Sequence, residues 1–422
     1  MNCPAGYTFA TMTTTNPLSI DQQMAILARG AEAIYSPAEL AERLRSAGAQ
    51  GRQLRVKLGL DPTAPDIHLG HTVQLRKMRQ FQDLGHKVVL IIGDYTARIG
   101  DPTGQNITRP MLSAEQIAAN AKTYVDQAGK ILDTDPAKLE IRHNSEWLEG
   151  LSFKDVIKLT AQMTVARMLE RDTFEKRYKA GVPIGVHEFL YPLMQGYDSV
   201  SIQADVELGG SDQTFNNLVG RQLQGNAGQR PQVVLIMPIL VGLDGAQKMS
   251  KSKGNYIGVT DAPGDMFGKI MSIPDTLMDN YYTLLTDVPR PEIDRLVDPA
   301  TTHPRTAKAD LAKRIVASFH GQQAGEQASA EFDRIFSQRQ TPTDMPEITL
   351  AARDLAEGKI GIIALIIKAG FAKSNSEARR LVEQGGVTIN DEKVIDVYAE
   401  VQPPDGGVLK VGKRRFGKIK LQ

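Results

Sequence analysis

The chain has 422 residues, 41% of them hydrophobic and 23% charged, with a formal net charge of +1. That length points to two to four folded units, and the near-zero charge confines any nucleic-acid contact to local patches. A single cysteine, Cys3, excludes internal disulfides and multi-cysteine zinc sites and fits a reducing, cytoplasmic setting; no apolar run approaches the ~20 residues of a membrane span.

Residues 1–16 are Thr-rich and lack the basic and apolar regions of a signal peptide. They are expected to form a disordered tail, with Met12 as an alternative start. Helical patterning begins near Leu18 and continues past Ser36-Pro37, an N-cap followed by proline at the first helical position. Leu54–Leu60 reads as a buried strand and Val88–Ile92 as a second. Between them a helix is expected from about His68 to Leu84, stopped by Gly85. Strand, helix and strand in that order predict a parallel βαβ unit. Val233–Val241 reads as a further core strand.

From about Pro263 the pattern becomes helical, and the polar, Pro- and Thr-containing stretch from Gln338 reads as a linker. Beyond it, Ser374-Asn375-Ser376-Glu377 is a capping pattern opening a helix, followed by short strands near Val387–Asn390 and Val408–Val411. The expected class is α/β. A Rossmann-like parallel-sheet domain occupies 17–262, a helical domain 263–337, a linker 338–358, and a small α+β domain 359–422.

Two strings carry chemistry. His68-Leu69-Gly70-His71 opens the first predicted helix, so both imidazoles lie on its first turn, beside unpaired N–H groups that suit a phosphate. Gly70 leaves room for a flat base. A His-x-x-His pair can also bind metal, but no third ligand with suitable spacing appears. Lys248-Met249-Ser250-Lys251-Ser252 follows a strand and lies between Gly242, Gly245 and Gly254. It is a cationic, hydroxyl-bearing loop suited to pyrophosphate, although alone it would read as a solvated turn. In-line displacement at phosphorus asks mainly for positioning and charge stabilisation, and a carboxylate nucleophile needs no general base.

Together, in this order and spacing, the strings resemble the two signature motifs of class I aminoacyl-tRNA synthetases. A third segment narrows the resemblance. Tyr191, Gln195 and Asp198 fall at i, i+4 and i+7, placing three polar groups on one helix face among apolar neighbours. This segment resembles tyrosyl-tRNA synthetases. The resemblance implies that Tyr191 and Gln195 hold the substrate ammonium, with Asp101 as another partner, and that Asp198 accepts the phenol hydroxyl. It further implies that Gly59, Asp61, Gly70, Gly210 and Asp212 bind ATP, with Thr63 beside the turn and Gln213 toward tyrosine. His68, His71, Lys248, Ser250, Lys251, Ser252 and Thr63 then form the catalytic set, and magnesium is implied only as the companion of ATP.

Two positions depart from the pattern. Lys57 stands where many members carry a phenol-reading tyrosine, and Glu207 where glutamine is frequent. Lys57 is therefore expected near tyrosine, paired with Asp198. The C-terminal unit resembles an S4-type RNA-binding domain, with Lys373, Arg379, Arg380, Lys413, Arg414 and Arg415 as candidate tRNA contacts. The resemblance also implies a homodimer. Competing readings are a tryptophanyl enzyme, a small-molecule nucleotidyltransferase, and a non-catalytic RNA-binding protein; the last has no use for both ATP-gripping motifs.

Overall fold

The computed structural model describes residues 18–62, 66–99, 113–336, 345–412 and 415–422. The chain divides into two compact units, one ending at Ser329 and the other beginning at Ala330. The tail expected at 1–16 lies outside the described residues.

The first unit is built on a six-stranded sheet. Its strands are β1 (Ala33–Tyr35), β2 (Arg55–Leu60), β3 (Lys87–Ile92), β4 (Leu139–His143), β5 (Val206–Gly210) and β6 (Val233–Met237). Their spatial order is β1-β6-β5-β2-β3-β4. Neighbours are parallel except β1, which runs antiparallel to β6 at one edge. From β2 the chain builds through β3 to β4 on one side, while β5 and β6 lie on the other. The order therefore reverses between β2 and β5, and the crevice beyond their carboxyl ends is where an open α/β sheet accepts a ligand.

Helices α1 (Ile20–Ala28), α2 (Pro37–Gln50), α3 (Leu69–Asp83) and α4 (Ala114–Ala128) precede β4. A run of short helices follows it: α5 (Ser145–Leu148), α6 (Phe153–Thr160), α7 (Val165–Met168) and α8 (Asp172–Lys179). Next come α9 (Leu190–Ile202) and α10 (Thr214–Asn226), then the helical stretch α11 (Pro263–Met271), α12 (Met278–Leu285), α13 (Arg290–Val297), α14 (Pro304–His320) and α15 (Gln322–Phe336). Ser36 caps α2 by accepting from the Glu39 N–H, with Pro37 at the first helical position. α9 and α10 cross closely because Gly196 carries no side chain: a Cβ there would lie 2.9 Å from Leu223 Cδ1 and 3.1 Å from the Gly220 nitrogen.

The helix expected over His68–Leu84 runs from Leu69 to Asp83, with His68 as its cap. The strand expected to reach Val241 ends at Met237, because Pro238 has no N–H to give to a ladder. β1, β4 and β5 had no strong signal. β5 hides a fully buried Glu207 in an otherwise apolar run.

The second unit contains β7 (Glu347–Leu350), β8 (Ile360–Gly361), α16 (Ile362–Lys368), α17 (Asn375–Glu383), β9 (Val387–Ile389), β10 (Glu392–Lys393), β11 (Glu400–Val401), β12 (Val408–Val411) and β13 (Arg415–Leu421). Five strands form a sheet in the order β10-β9-β12-β13-β7, and β11 pairs with β8. Leu350, Ile362, Leu365, Val382 and Leu409 lie in its core. The linker expected over 338–358 needs correcting here. β7 pairs in parallel with β13, from Glu347 against Lys418 to Leu350 against Leu421, and buries Ile348 and Leu350. Burying alternate residues on a pleated strand holds Glu347–Leu350 in the sheet, despite the polar sequence around it.

Candidate functional site

The first motif is organised by its own backbone. His68 Nδ1 accepts from the Gly70 N–H and His71 Nδ1 accepts from the His68 N–H, both at 3.2 Å. Each ring must therefore be neutral with its proton on Nε2, which leaves an N–H donor on the far side of each imidazole. The rings stack with centroids 3.8 Å apart. A Cβ on Gly70 would lie 2.9 Å from His68 Cε1, so glycine is what lets the imidazole fold over this turn.

The second motif lies directly beside the first. Leu69 N–H donates to the Ile257 carbonyl, Val259 N–H donates to the Ile67 carbonyl, and His68 bridges Gly258. Met249 is buried and anchors the loop through its N–H on the Leu240 carbonyl, whereas Lys248 is exposed. Asn255 ties the loop together. Its amide donates to Asp244 at 2.7 Å and the Lys248 carbonyl at 3.1 Å, while its oxygen accepts from the Ser250 N–H at 2.8 Å. Ser250 and Ser252 share a hydrogen bond of 2.9 Å. Lys248 pairs with Asp212, and Lys251 with Asp66 at 2.6 Å.

The electrostatics join the two motifs. Burial, then the charges of Lys248 and Lys251, push His68 down to about 4. Burial, then His68 and the same lysines, push His71 well below its ordinary value. The site is thus a cluster of neutral imidazole donors and ammonium groups, chemically suited to a polyphosphate.

The α9 face closes the other side. Tyr191 donates to Asp61 Oδ2 at 2.7 Å, and Thr96 donates to Asp61 Oδ1 at 2.8 Å. Asn144 donates to Thr96 at 3.0 Å and also bonds Asp198, which accepts from Trp147 Nε1 at 2.8 Å. A continuous chain of polar groups therefore runs from Tyr191 to Asp198. Burial raises Asp198 to about 7, a rise that Lys57, Trp147 and Asn144 only partly oppose. Gln195 and Gln213 are bridged by Asn216, whose amide donates to the two side-chain oxygens at 3.0 and 2.9 Å. Gly59 is the last residue but one of β2 and Gly210 ends β5, and a Cβ on Gly59 would meet nothing within 4 Å.

Lys57 differs from expectation. It pairs with Glu207 at 2.9 Å rather than with Asp198, and both side chains are almost completely buried. The cause is register: Lys57 and Glu207 are Cα partners on the parallel strands β2 and β5, so their side chains leave the sheet on the same face. The two departures from the family pattern are one buried ion pair. Thr63 and Asp101 lie outside the described residues. Thr96, Asn144, Trp147, Asn216 and Asn255 were not anticipated. Only Trp147, the sole tryptophan, had any distinguishing mark in the sequence.

In the second unit Ser374 caps α17, and Glu377 reaches back to the Lys373 N–H at 2.9 Å. Lys373, Arg379, Arg380 and Arg415 are exposed, with Arg379 over the Tyr398 ring at 5.4 Å and Arg415 near Glu377 at 3.6 Å. Lys413 and Arg414 lie outside the described residues.

Comparison with known proteins shows what the chain is similar to. Residues 49–337 fit the model of class I tRNA synthetases (W and Y), and residues 338–416 fit the tyrosine–tRNA ligase SYY-like C-terminal domain. The tyrosine–tRNA ligase of Carboxydothermus hydrogenoformans is 52% identical over 95% of this chain and 98% of its own length. That of Ralstonia nicotianae is 54% identical over 94% of this chain and 100% of its own. Among solved structures, the Archaeoglobus fulgidus tyrosyl-tRNA synthetase complexed with L-tyrosine shares the fold at TM-score 0.58 and 23% identity, covering 74% of this chain and all of that one.

Proposed function

This chain belongs to the class I tyrosine–tRNA ligases, and we propose that its own residues divide that reaction as follows. The reaction has two steps. The carboxylate of L-tyrosine attacks the α-phosphorus of ATP and releases pyrophosphate, and the tyrosyl group then passes to the 3′-terminal ribose of the tRNA.

His68 and His71 donate their Nε2 protons to oxygens whose charge grows at the α-phosphorus. Lys248 and Lys251, with the hydroxyls of Ser250 and Ser252, hold the β- and γ-phosphates. Gly59, Asp61, Thr63, Gly70, Gly210 and Asp212 seat the nucleotide. Tyr191, Gln195, Gln213 and Asp101 surround the tyrosine ammonium, and Asp198 accepts the phenol proton. The carrying observation is that the two motifs lie side by side, a Cβ on Gly70 coming 3.7 Å from Met249 Cβ, so that imidazole donors and ammonium groups can serve one polyphosphate. Magnesium enters as the counter-ion of ATP, and no protein residue is assigned to it.

Lys373, Arg379, Arg380, Lys413, Arg414 and Arg415 contact tRNA phosphates, so charging weakens as salt rises. The homodimer reading rests on the resemblance and is supported by Phe153, Ile157, Val165, Tyr178 and Val186, all exposed within residues 153–186. A second copy packed there would cover them. Among the described residues no helix is long and apolar enough to cross a membrane, and with ATP and tRNA as substrates we place the reaction in the cytoplasm.

Amino-acid-dependent ATP–pyrophosphate exchange tests the first step, and labelled charging of tRNA the second. Tyrosine alone should support exchange. Exchange with tryptophan and not tyrosine, or with no amino acid, contradicts the proposal.

A further inference from the structure

Behind the α9 face lies a closed polar cluster that touches no reacting group. Lys57 is fully buried, and its ammonium has three acceptors: the Gln195 carbonyl at 2.8 Å, Ser199 Oγ at 2.7 Å and Glu207 Oε1 at 2.9 Å. The Ser199 hydroxyl accepts from Lys57 and donates a hydrogen bond to Glu207 Oε2 at 3.2 Å. Glu207 Oε2 also accepts from Gln232, and Oε1 receives the Gln195 side-chain amide at 3.4 Å. Space for the cluster is left by Gly220 on α10, where a Cβ would lie 2.9 Å from Ser199 Oγ and 3.2 Å from Glu207 Oε2.

We propose that the Lys57–Glu207 pair is a positioning device that fixes the carboxamide of Gln195 and so aims its oxygen at the tyrosine ammonium. The pair grips one residue twice. Lys57 holds the main-chain carbonyl of Gln195, and Glu207, which can only accept, draws the NH2 end of its side chain. Asn217 takes the other proton of that NH2 at 2.9 Å. Gln195 Oε1 is thereby turned away from the pair, toward Asn216 and the side of Gln213. In this chain, where Lys57 stands beside position 207, a neutral glutamine there could donate as well as accept, and the Gln195 amide would lose one of the contacts that fix its sense. This inference rests on the assignment of Gln195 to the tyrosine ammonium.

The test compares wild type with Glu207→Gln, with the double variant Lys57→Met/Glu207→Gln, and with Gln195→Ala. The single variant strands a buried ammonium and lowers thermal stability. The double variant removes both charges and should recover most of it, since a buried ion pair is often replaceable by neutral groups. Even so, its KM for tyrosine should stay raised about tenfold, the scale of one hydrogen bond to a charged group. Its KM for ATP should be unchanged, and the inhibition constant of des-amino tyrosine, which has no ammonium, should rise less than the KM for tyrosine, by only what losing the Lys57 charge does to Asp198. A double variant with normal stability and normal KM for tyrosine overturns the inference; where it does not fold, Glu207→Gln measured below its melting temperature makes the same comparison, and a normal KM for tyrosine there overturns it. Gln195→Ala separates the two assignments. If it leaves the KM for tyrosine untouched, the assignment of Gln195 has failed; if it raises KM while the double variant does not, only the positioning role has.

Discussion

Tyr191 donates its hydroxyl proton to Asp61 Oδ2 at 2.7 Å, joining residues 130 positions apart. Asp61 begins the turn after β2, on the nucleotide side, and Tyr191 lies in the first turn of α9, on the amino-acid side. One hydrogen bond therefore couples the two proposed subsites. Tyr191→Phe should raise the KM for tyrosine and the KM for ATP together, each by about three- to tenfold, the scale of a single buried hydrogen bond. Steady-state pyrophosphate exchange with each substrate varied in turn checks this. An effect on tyrosine alone would show that Asp61 does not depend on Tyr191.

Gly93 lies just past β3, and a Cβ there would come within 1.9 Å of Asp61 Oδ1 and 2.4 Å of Thr96 Oγ1. Gly93→Ala must push Asp61 out of place. Overpacking of this kind costs about 1–3 kcal/mol. A lower melting temperature and a loss of exchange activity are expected. Normal values for both would mean that the Asp61–Thr96 contact is free to move.

Much of the parallel sheet and the first motif's cap were legible, because β2 and β3 are apolar runs and His68, Gly70 and Gly85 are local signals. The polar links were not. Thr96, Asn144 and Trp147 meet Asp61 and Asp198 only after β3 and β4 are aligned, and no spacing along the chain encodes that contact. Lys57 and Glu207 were both visible as oddities. Their pairing needed the β2–β5 register, which depends on a crossover of more than a hundred residues. β7 was missed although Glu347-Ile-Thr-Leu350 alternates as a strand should, because its Pro- and Thr-containing surroundings read as a linker.

Lys251 is held by Asp66 in an ion pair whose side chains keep 24% and 44% of their exposure. A pair this open is worth no more than about 1 kcal/mol, so the phosphates of ATP can replace Asp66 easily. Asp66→Asn should change the rate of adenylate formation by less than about fivefold. Lys251→Ala, which removes a charge from the developing transition state, should slow it by about a hundredfold while tyrosine binding holds. Pre-steady-state adenylate formation measures both. Equal losses in rate and tyrosine affinity would make the loop structural.

Burial lifts Asp198 to about 7 from 3.8. The folded protein thus favours the protonated carboxyl, and this contribution to stability is complete below the unfolded value and lost as pH rises through about 7. Asp198→Asn should be more stable than wild type above that pH, with the gap closing in acid. Tyrosine capture behaves oppositely, since it uses the carboxylate: wild-type kcat/KM for tyrosine should fall as pH drops below about 7. His68, held near 4, does not titrate in this window. An acid limb that persists in the Asn variant would assign it to another group.

The central claim is that Asp198, on the α9 face, reads the tyrosine phenol. Its most direct test is the ratio of kcat/KM for tyrosine to that for phenylalanine in pyrophosphate exchange, compared between wild type and Asp198→Ala. A buried acceptor left without its donor is what rejects phenylalanine. Removing that acceptor should lower the ratio by about ten- to a hundredfold. An unchanged ratio would contradict the account and move the reading of the phenol away from Asp198.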